Sequence, residues 1–446
     1  MKLKNTFYLL IAATLFITAF SGKIQAAPGD TTRVTAIEFG GERNVWLDFP
    51  SGDEDFRRIL MNYKIKCPCG EWDYIAYVFV DQFFKVDTVW NGDDYTVEKT
   101  RVYYSDSTTV TERYEIMRYI TPYGNGLNVG DGFTYTIDVT DFEPLLRDSV
   151  FMRAPNGQED VEITFDFIQG TPPRDVVQIR KMWNDNDVTY DENFETEVDQ
   201  KTIEFGEEEK GAMFRITQTG HGFGGTEENC AEFCRKMSYV KVNGEIIDSN
   251  WVWRECGDIP LYPQGGTWLI DRTNWCPGMD VWPFDYEVTD YIDFGAENTI
   301  DFDMEYYDEQ WTQGSNHRPK WVIQSYLITY TDPYFANDAA IDEIIQPSSK
   351  DEYLRLNPIC GGPVFVLRNN GSEPLTSLKI NYGIKDEELA EYIWEGEIDF
   401  RDTTHVYLPP FPIPEPGMEG TFVLQLSDPN GEPDEFAADN YAETAY

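Results

Sequence analysis

The 446-residue chain holds 80 acidic and 35 basic residues, a formal net charge of −45, and such a field repels nucleic-acid phosphates and anionic lipid surfaces. Its aromatic content of 15% excludes an acidic disordered chain, which is poor in aromatics. Length excludes a single hydrophobic core, because domains run about 100–200 residues.

In chain order, Lys2 and Lys4 precede an apolar run over 7–20 and a small-residue end at Gln25, Ala26 and Ala27, the layout of an export signal. The run is shorter than the roughly 20 residues of a membrane span. Residues 1–27 are therefore predicted to be a signal peptide rather than an anchor, with no transmembrane segment after it. The mature chain is expected to be secreted, periplasmic or held at the cell surface. From Thr32 onward, short runs rich in Val, Ile, Tyr, Phe and Thr alternate with Gly, Asn, Asp and Pro, as at 77–80, 161–168, 212–217, 238–242 and 321–330. No long stretch keeps a helical period, so an all-β chain of sandwiches or barrels is predicted. Turn-rich punctuation at 170–174 and 331–334 divides it into blocks 28–172, 173–332 and 333–446. The last block, with strand-like pieces at 363–368, 375–382, 404–408 and 420–426, reads as a small immunoglobulin-like sandwich.

Several motifs are set aside. The run Gly220-His221-Gly222-Phe223-Gly224-Gly225 satisfies G-x-G-x-x-G, with Glu245 near the place of a ribose-binding acid. That fingerprint needs a glycine turn opening into a long helix, and here a cysteine-bounded knot and a strand follow. The three histidines, His221, His317 and His405, are too few and too scattered for a zinc-protease or multi-histidine copper site. There is no G-x-S-x-G elbow and no Walker loop. Glu207, Glu208 and Glu209 read as a solvated loop rather than a calcium site. Neither a metal nor a cofactor is expected.

Seven cysteines bound for an oxidising space are expected to pair, with one left over, and Cys360, alone in the last block, is the spare. The other six mark three constellations. In Cys67-Pro-Cys69-Gly-Glu71-Trp72-Asp73-Tyr74, a bonded cysteine pair would fix a loop that carries acids into a strand. A carboxylate beside Trp72 loses water, which raises its pKa and suits it to proton transfer. Cys230-Ala-Glu232-Phe-Cys234 puts an acid in a loop pinned at both ends, and Asp271-Arg272-Thr-Asn-Trp275-Cys276 offers an Arg and a Trp beside a cysteine for which Cys256 is the candidate partner. Two acids and a guanidinium on rigid loops suit a preorganised polar site. The bland reading of each motif taken singly is a stapled turn with solvated acids.

Through most of residues 60–330 the chain resembles the peptide-N-glycosidase F amidases. The resemblance is carried by C-x-C-x-E-W-D at 67–73, Arg-Tyr-Ile-Thr-Pro-Tyr at 118–123, Ile-Asp-Val-Thr-Asp-Phe at 137–142, Phe-Asp-Phe-Ile-Gln-Gly-Thr-Pro at 165–172, CAEFC at 230–234 and DRTNWCPGM at 271–279. It implies two jelly-roll β-sandwiches side by side with a cleft between them, here followed by the immunoglobulin-like sandwich. It also implies metal-free hydrolysis of the amide joining asparagine to the first N-acetylglucosamine of N-glycoproteins or glycopeptides. By resemblance Asp73 is the principal catalytic acid, Glu232 a second carboxylate acting through water, and Arg272 a cleft residue. The implied disulfides are Cys67–Cys69, Cys230–Cys234 and Cys256–Cys276. Trp72, Tyr74 and Trp275 are candidate substrate contacts, although a Trp is more often core. A monomer is expected.

The sequence departs from the family pattern in three ways. Tyr74 stands where the best-known members carry Arg. The segment 145–161, where the family has a third acid followed by Trp, is shorter, and Glu159 is the candidate replacement. The first cysteine spacing is reduced to C-x-C. These changes motivate an alternative, a glycan-binding or structural relative without turnover. A copper monooxygenase on a similar scaffold would need more histidines.

Overall fold

Period-two alternation is plain in the strand Phe56–Lys66, where Ile59, Met61, Tyr63 and Ile65 are buried and Arg58, Leu60, Asn62 and Lys64 between them are half-exposed, as a sheet with one face on a core requires. The computed structural model describes residues 27–91, 94–223, 227–307, 318–357, 362–410 and 420–445. The predicted signal segment up to residue 26, His317 and Cys360 lie outside the described residues. Among those described, no helix is long and apolar enough to cross a membrane, and nearly all regular structure is strand.

The sheets form three β-sandwich units. In the first, the antiparallel order Thr31–Ile37, Asp160–Gln169, Phe56–Lys66, Phe133–Asp138 faces a sheet ordered Met279–Asp280, Val110–Ile120, Ile75–Asn91, Ser149–Arg153, Asn44–Asp48. The outer half of Ile75–Asn91 pairs further with Asp94–Val102 in a long ribbon. In the second, Val176–Thr189, Lys320–Tyr330, Gly211–His221 and Phe284–Glu287 face Lys201–Glu204, Glu297–Met304, Lys236–Val242 and Glu245–Val252. The third sets Ala339–Gln346, Val364–Asn369 and Thr403–Tyr407 against Ala390–Ile398, Leu375–Ile384, Thr421–Ser427 and Tyr441–Ala445.

The strand Lys320–Tyr330 explains how the first two units join. It is buried on both faces: Trp321, Ile323 and Leu327 enter the second core, while Tyr326, Ile328 and Tyr330 enter the first. Polar groups cross the same seam. The Tyr326 hydroxyl donates to the Glu115 carbonyl at 3.1 Å and accepts from the Glu115 N–H at 2.7 Å. Arg118 pairs with Glu115 at 2.8 Å and donates to the Val322 carbonyl at 2.8 Å and Thr219 Oγ1 at 3.0 Å. Segment 256–279, assigned by sequence punctuation to the second block, packs Cys256, Ile259, Leu261, Cys276 and Met279 on the first core and lends Met279–Asp280 to its sheet.

The third sandwich docks on the first through Arg57. Its guanidinium pairs with Asp338 at 2.7 Å and Asp439 at 2.6 Å and lies 4.3 Å from the Phe436 ring centroid. Arg58 adds pairs to Asp138 and Asp342.

Candidate active site

Asp73 sits where the loop after Phe56–Lys66 turns into Ile75–Asn91. The structure forms the Cys67–Cys69 disulfide. Beyond it, the Gly70 N–H donates to the Gln158 carbonyl at 2.8 Å and its carbonyl accepts from the Gly124 N–H at 2.8 Å. A Cβ at Gly124 would lie 2.4 Å from the Gly70 carbonyl oxygen and 2.5 Å from that of Cys69, so only glycine lets the two loops meet this closely. Thr121 then brackets the acid. Its hydroxyl accepts from the Tyr74 N–H at 2.8 Å and donates to the Trp72 carbonyl at 3.2 Å.

Glu232 lies in the loop closed by Cys230–Cys234. The end of strand Gly211–His221 supports that loop, since a Cβ at Gly220 would stand 2.1 Å from the Ala231 carbonyl oxygen. The Glu232 N–H donates to the Gly222 carbonyl at 3.1 Å, and its own carbonyl accepts from the Thr273 N–H at 3.0 Å and from Thr273 Oγ1 at 3.0 Å.

Arg272 connects the two acids. It is fully buried and held by its own neighbourhood: Nη1 donates to the carbonyls of Ile270 at 2.6 Å and Thr267 at 3.2 Å, and Nη2 to Thr267 Oγ1 at 3.1 Å and the Tyr123 hydroxyl at 3.3 Å. Its Nε has no hydrogen-bond partner among the described residues and stands 3.6 Å from Glu232 Oε1. The Tyr123 hydroxyl also lies 3.3 Å from Thr267 Oγ1, and its interaction with the Asp73 carboxylate favours the charged form of that acid. Asp73, Tyr123, Arg272 and Glu232 thus form one continuous polar group.

Electrostatics separate the two carboxyls. Burial raises the Asp73 carboxyl, opposed by the Arg272 charge and the Tyr123 hydrogen bond. Burial, less the pull of Arg272 and with repulsion from Asp73, pushes Glu232 up to about 7. A carboxyl poised near neutrality beside a second buried carboxyl fits proton transfer.

The remaining candidates are distributed differently. Trp72 and Tyr74, 57% and 54% exposed, flank Asp73 with free rings. Trp275 is only 3% exposed, donates from Nε1 to the Gly220 carbonyl at 2.8 Å and stacks on His221. It backs Arg272, whose Cζ is 4.7 Å from its centroid, and so sits behind the group rather than on its open side. Glu159 is not brought to the group. It is buried in the first sandwich, accepting from Asn156 at 2.7 Å near Tyr63, and burial pushes it up to about 7. The third disulfide, Cys256–Cys276, closes the loop carrying Arg272. In the glycine run, strand Gly211–His221 ends without a long helix, and residues 224–226 lie outside the described residues. His221 is half-buried, its Nε2 lies 2.8 Å from Thr219 Oγ1, and desolvation with the nearby Arg118 and Lys320 charges lowers it to about 3.

Sequence reasoning quoted Tyr123 within a motif but gave it no role. What places it is a contact across 141 residues, its N–H donating to Gln264 Oε1 at 3.0 Å, which no local pattern announces. A cavity of about 260 Å³ lined by Arg57, Arg58, Asp138, Asp342 and Arg401 lies at the junction with the third sandwich, and none of the four polar residues above lines it.

Comparison with known proteins agrees with the architecture. The family model described as peptide-N-glycosidase F, C terminal, matches residues 189–328. The chain is 28% identical over 336 residues to the peptide-N(4)-(N-acetyl-β-D-glucosaminyl)asparagine amidase F of Elizabethkingia miricola, covering 68% of this chain and 85% of that protein. The solved structure of PNGase F from Flavobacterium meningosepticum, titled a glycosylasparaginase, superposes with a TM-score of 0.54 at 22% identity, covering 68% of this chain and 96% of that one, which shows a shared fold. Over residues 189–328 the sequence fits the C-terminal model of peptide-N-glycosidase F, and the chain shares the fold of that enzyme's solved structure.

Proposed function

We propose that the chain is an exported amidase that hydrolyses the bond between an asparagine side chain and the first N-acetylglucosamine of N-linked glycoproteins or glycopeptides, with no cofactor. The observation that carries this reading is the convergence of Asp73 and Glu232 on the Arg272 guanidinium, from three segments that each carry a disulfide. The relatedness to an asparagine amidase of that specificity supports it. Export is supported by the three formed disulfides, which persist in oxidising compartments.

The chemistry divides between the two acids. Asp73 takes a proton from water as the water oxygen adds to the amide carbonyl carbon. The carbon–nitrogen bond then breaks, and Glu232 in its protonated form delivers a proton to the departing nitrogen. Aspartate and a glycosylamine result, which balances the water consumed. Arg272 and the Tyr123 hydroxyl hold the pair at fixed separation, and Trp72 and Tyr74 offer faces to a sugar or to flanking peptide.

The test is incubation with a denatured N-glycoprotein, read by mass spectrometry for free glycan and for asparagine converted to aspartate. Asp73→Asn is expected to lower release by about 100-fold or more, and unchanged release by this variant would remove Asp73 from the mechanism. A second reading, glycan binding without turnover, draws on the seclusion of Glu159, the candidate third acid, from the group. Retention of glycoprotein without conversion would favour it.

A further inference from the structure

We propose that Thr121 and Thr273 are paired positioning residues that fix the two acids of the site by clamping the backbone on which each is carried, an inference that rests on the amidase reading of Asp73 and Glu232.

Both threonines are buried, 1% and 0% exposed, and their hydroxyls hydrogen-bond to backbone groups. Thr121 binds the chain on both sides of Asp73. Its hydroxyl donates to the Trp72 carbonyl at 3.2 Å and accepts from the Tyr74 N–H at 2.8 Å, and its N–H donates to the Tyr74 carbonyl at 2.9 Å. Thr273 does the equivalent for Glu232. Its N–H and hydroxyl both donate to the Glu232 carbonyl at 3.0 Å, the hydroxyl also lies 2.9 Å from the Cys234 carbonyl, and its own carbonyl accepts from the Gly220 N–H at 3.2 Å.

The placement of the two clamps couples them. Thr121 stands two residues before Tyr123, the hydroxyl partner of Asp73, and Thr273 directly follows Arg272, the charge beside Glu232. Arg272 Nη2 then reaches the Tyr123 hydroxyl at 3.3 Å, so the two clamped segments meet through the partners of their acids. Loss of the Thr121 hydroxyl removes the partner of the Tyr74 N–H and a donor to the Trp72 carbonyl, and loss of the Thr273 hydroxyl removes a donor to the Glu232 and Cys234 carbonyls, so that one acid is held less firmly against its partner. Misplacement by about 1 Å costs on the order of 100-fold in rate. A threonine that merely filled a sheet would show no such coupling, because valine matches its shape.

The experiment uses the full chain and a dansylated glycopeptide carrying one N-linked glycan. Thr121→Val and Thr273→Val are expected to lower kcat by about 10- to 100-fold with KM little changed, while Thr121→Ser and Thr273→Ser recover most of the activity. Where valine does not fold, Thr→Cys, a weaker donor, gives an intermediate loss. Carboxyl carbon NMR supplies a reading independent of turnover. Freed from its clamp, each acid gains water, so the Asp73 midpoint falls in Thr121→Val and the Glu232 midpoint falls in Thr273→Val. Wild-type kcat with unmoved midpoints in the valine variants, or serine variants as impaired as valine, would overturn the clamps. If the wild-type chain releases no glycan, the amidase reading fails, and the two midpoints alone still decide whether the threonines position the acids.

Discussion

At the scale of single residues, the displaced carboxyl of Glu232 makes a pH prediction with a definite sign. Its folded value of about 7 lies above the ordinary glutamate value near 4.3, so the folded chain holds this proton more tightly than the unfolded one. The associated stability is fully present below the unfolded value and is lost as pH rises through about 7. Glu232→Gln is therefore expected to raise the melting temperature at pH 8 relative to wild type, with little difference at pH 4, as calorimetry at the two pH values would register. The same variant should remove the alkaline limb of the kcat/KM profile near neutrality, leaving the acidic limb set by Asp73, whose carboxyl burial also raises. Asp73, Glu232 and Arg272 stand in three cysteine-marked motifs, and the resemblance to the amidases singled them out. Tyr123 was not, since its role is created by Arg272 and Gln264 from across the chain. Glu159 and Trp275 carry the complementary lesson. The resemblance nominated Glu159 and its cysteine motif nominated Trp275, but burial against Asn156 and His221 follows from packing that neither encodes.

At the scale of elements, the seam between the two sandwiches rests on a strand whose run of apolar residues at 321–330 announced burial without saying what covers each face. Alternation assigns odd residues to one core and even ones to the other, and Arg118 pins the arrangement. Its side chain and that of Glu115 are 0% and 5% exposed, so their mutual attraction is offset by desolvation and the pair adds little net stability. Breaking the pair is another matter. Arg118→Met leaves the Glu115 carboxylate and the Val322 carbonyl without their donor and is expected to cost about 3–5 kcal/mol in urea unfolding. The double variant Arg118→Met with Glu115→Gln should cost less than the single one. Additive losses would show that the pair does not act as a unit. Since the strand end Val110–Ile120 leads directly into Thr121 and Tyr123, Arg118→Met should also depress glycan release more than its stability loss explains.

At the scale of the whole molecule, the third sandwich was readable as a separate block from its Gly and Pro turns, but its attachment was not, because Arg57 and Arg58 look like ordinary strand residues until Asp338, Asp342 and Asp439 arrive from some 280 residues or more away. Two carboxylates share the one Arg57 guanidinium. Burial and their proximity to other acids hold both Asp338 and Asp439 above the ordinary range, with Arg57 opposing. Each therefore binds its proton more tightly when docked, and docking loses stability as pH rises through their raised values. Removing the guanidinium leaves Asp338, whose side chain is 0% exposed, buried without its cation, and it strips the Phe436 ring of its stacked partner. Arg57→Ala is thus expected to weaken docking by about 3–5 kcal/mol, so that calorimetry resolves an earlier transition for the third sandwich, further lowered at pH 8.5 relative to pH 5.5. Because Arg57 is not among the residues around Asp73 and Glu232, glycan release below that first transition should stay at the wild-type rate. A single undivided transition in Arg57→Ala would mean that the remaining contacts, Arg58 to Asp342 and Thr134 to Asp351, suffice to keep the three units one cooperative body.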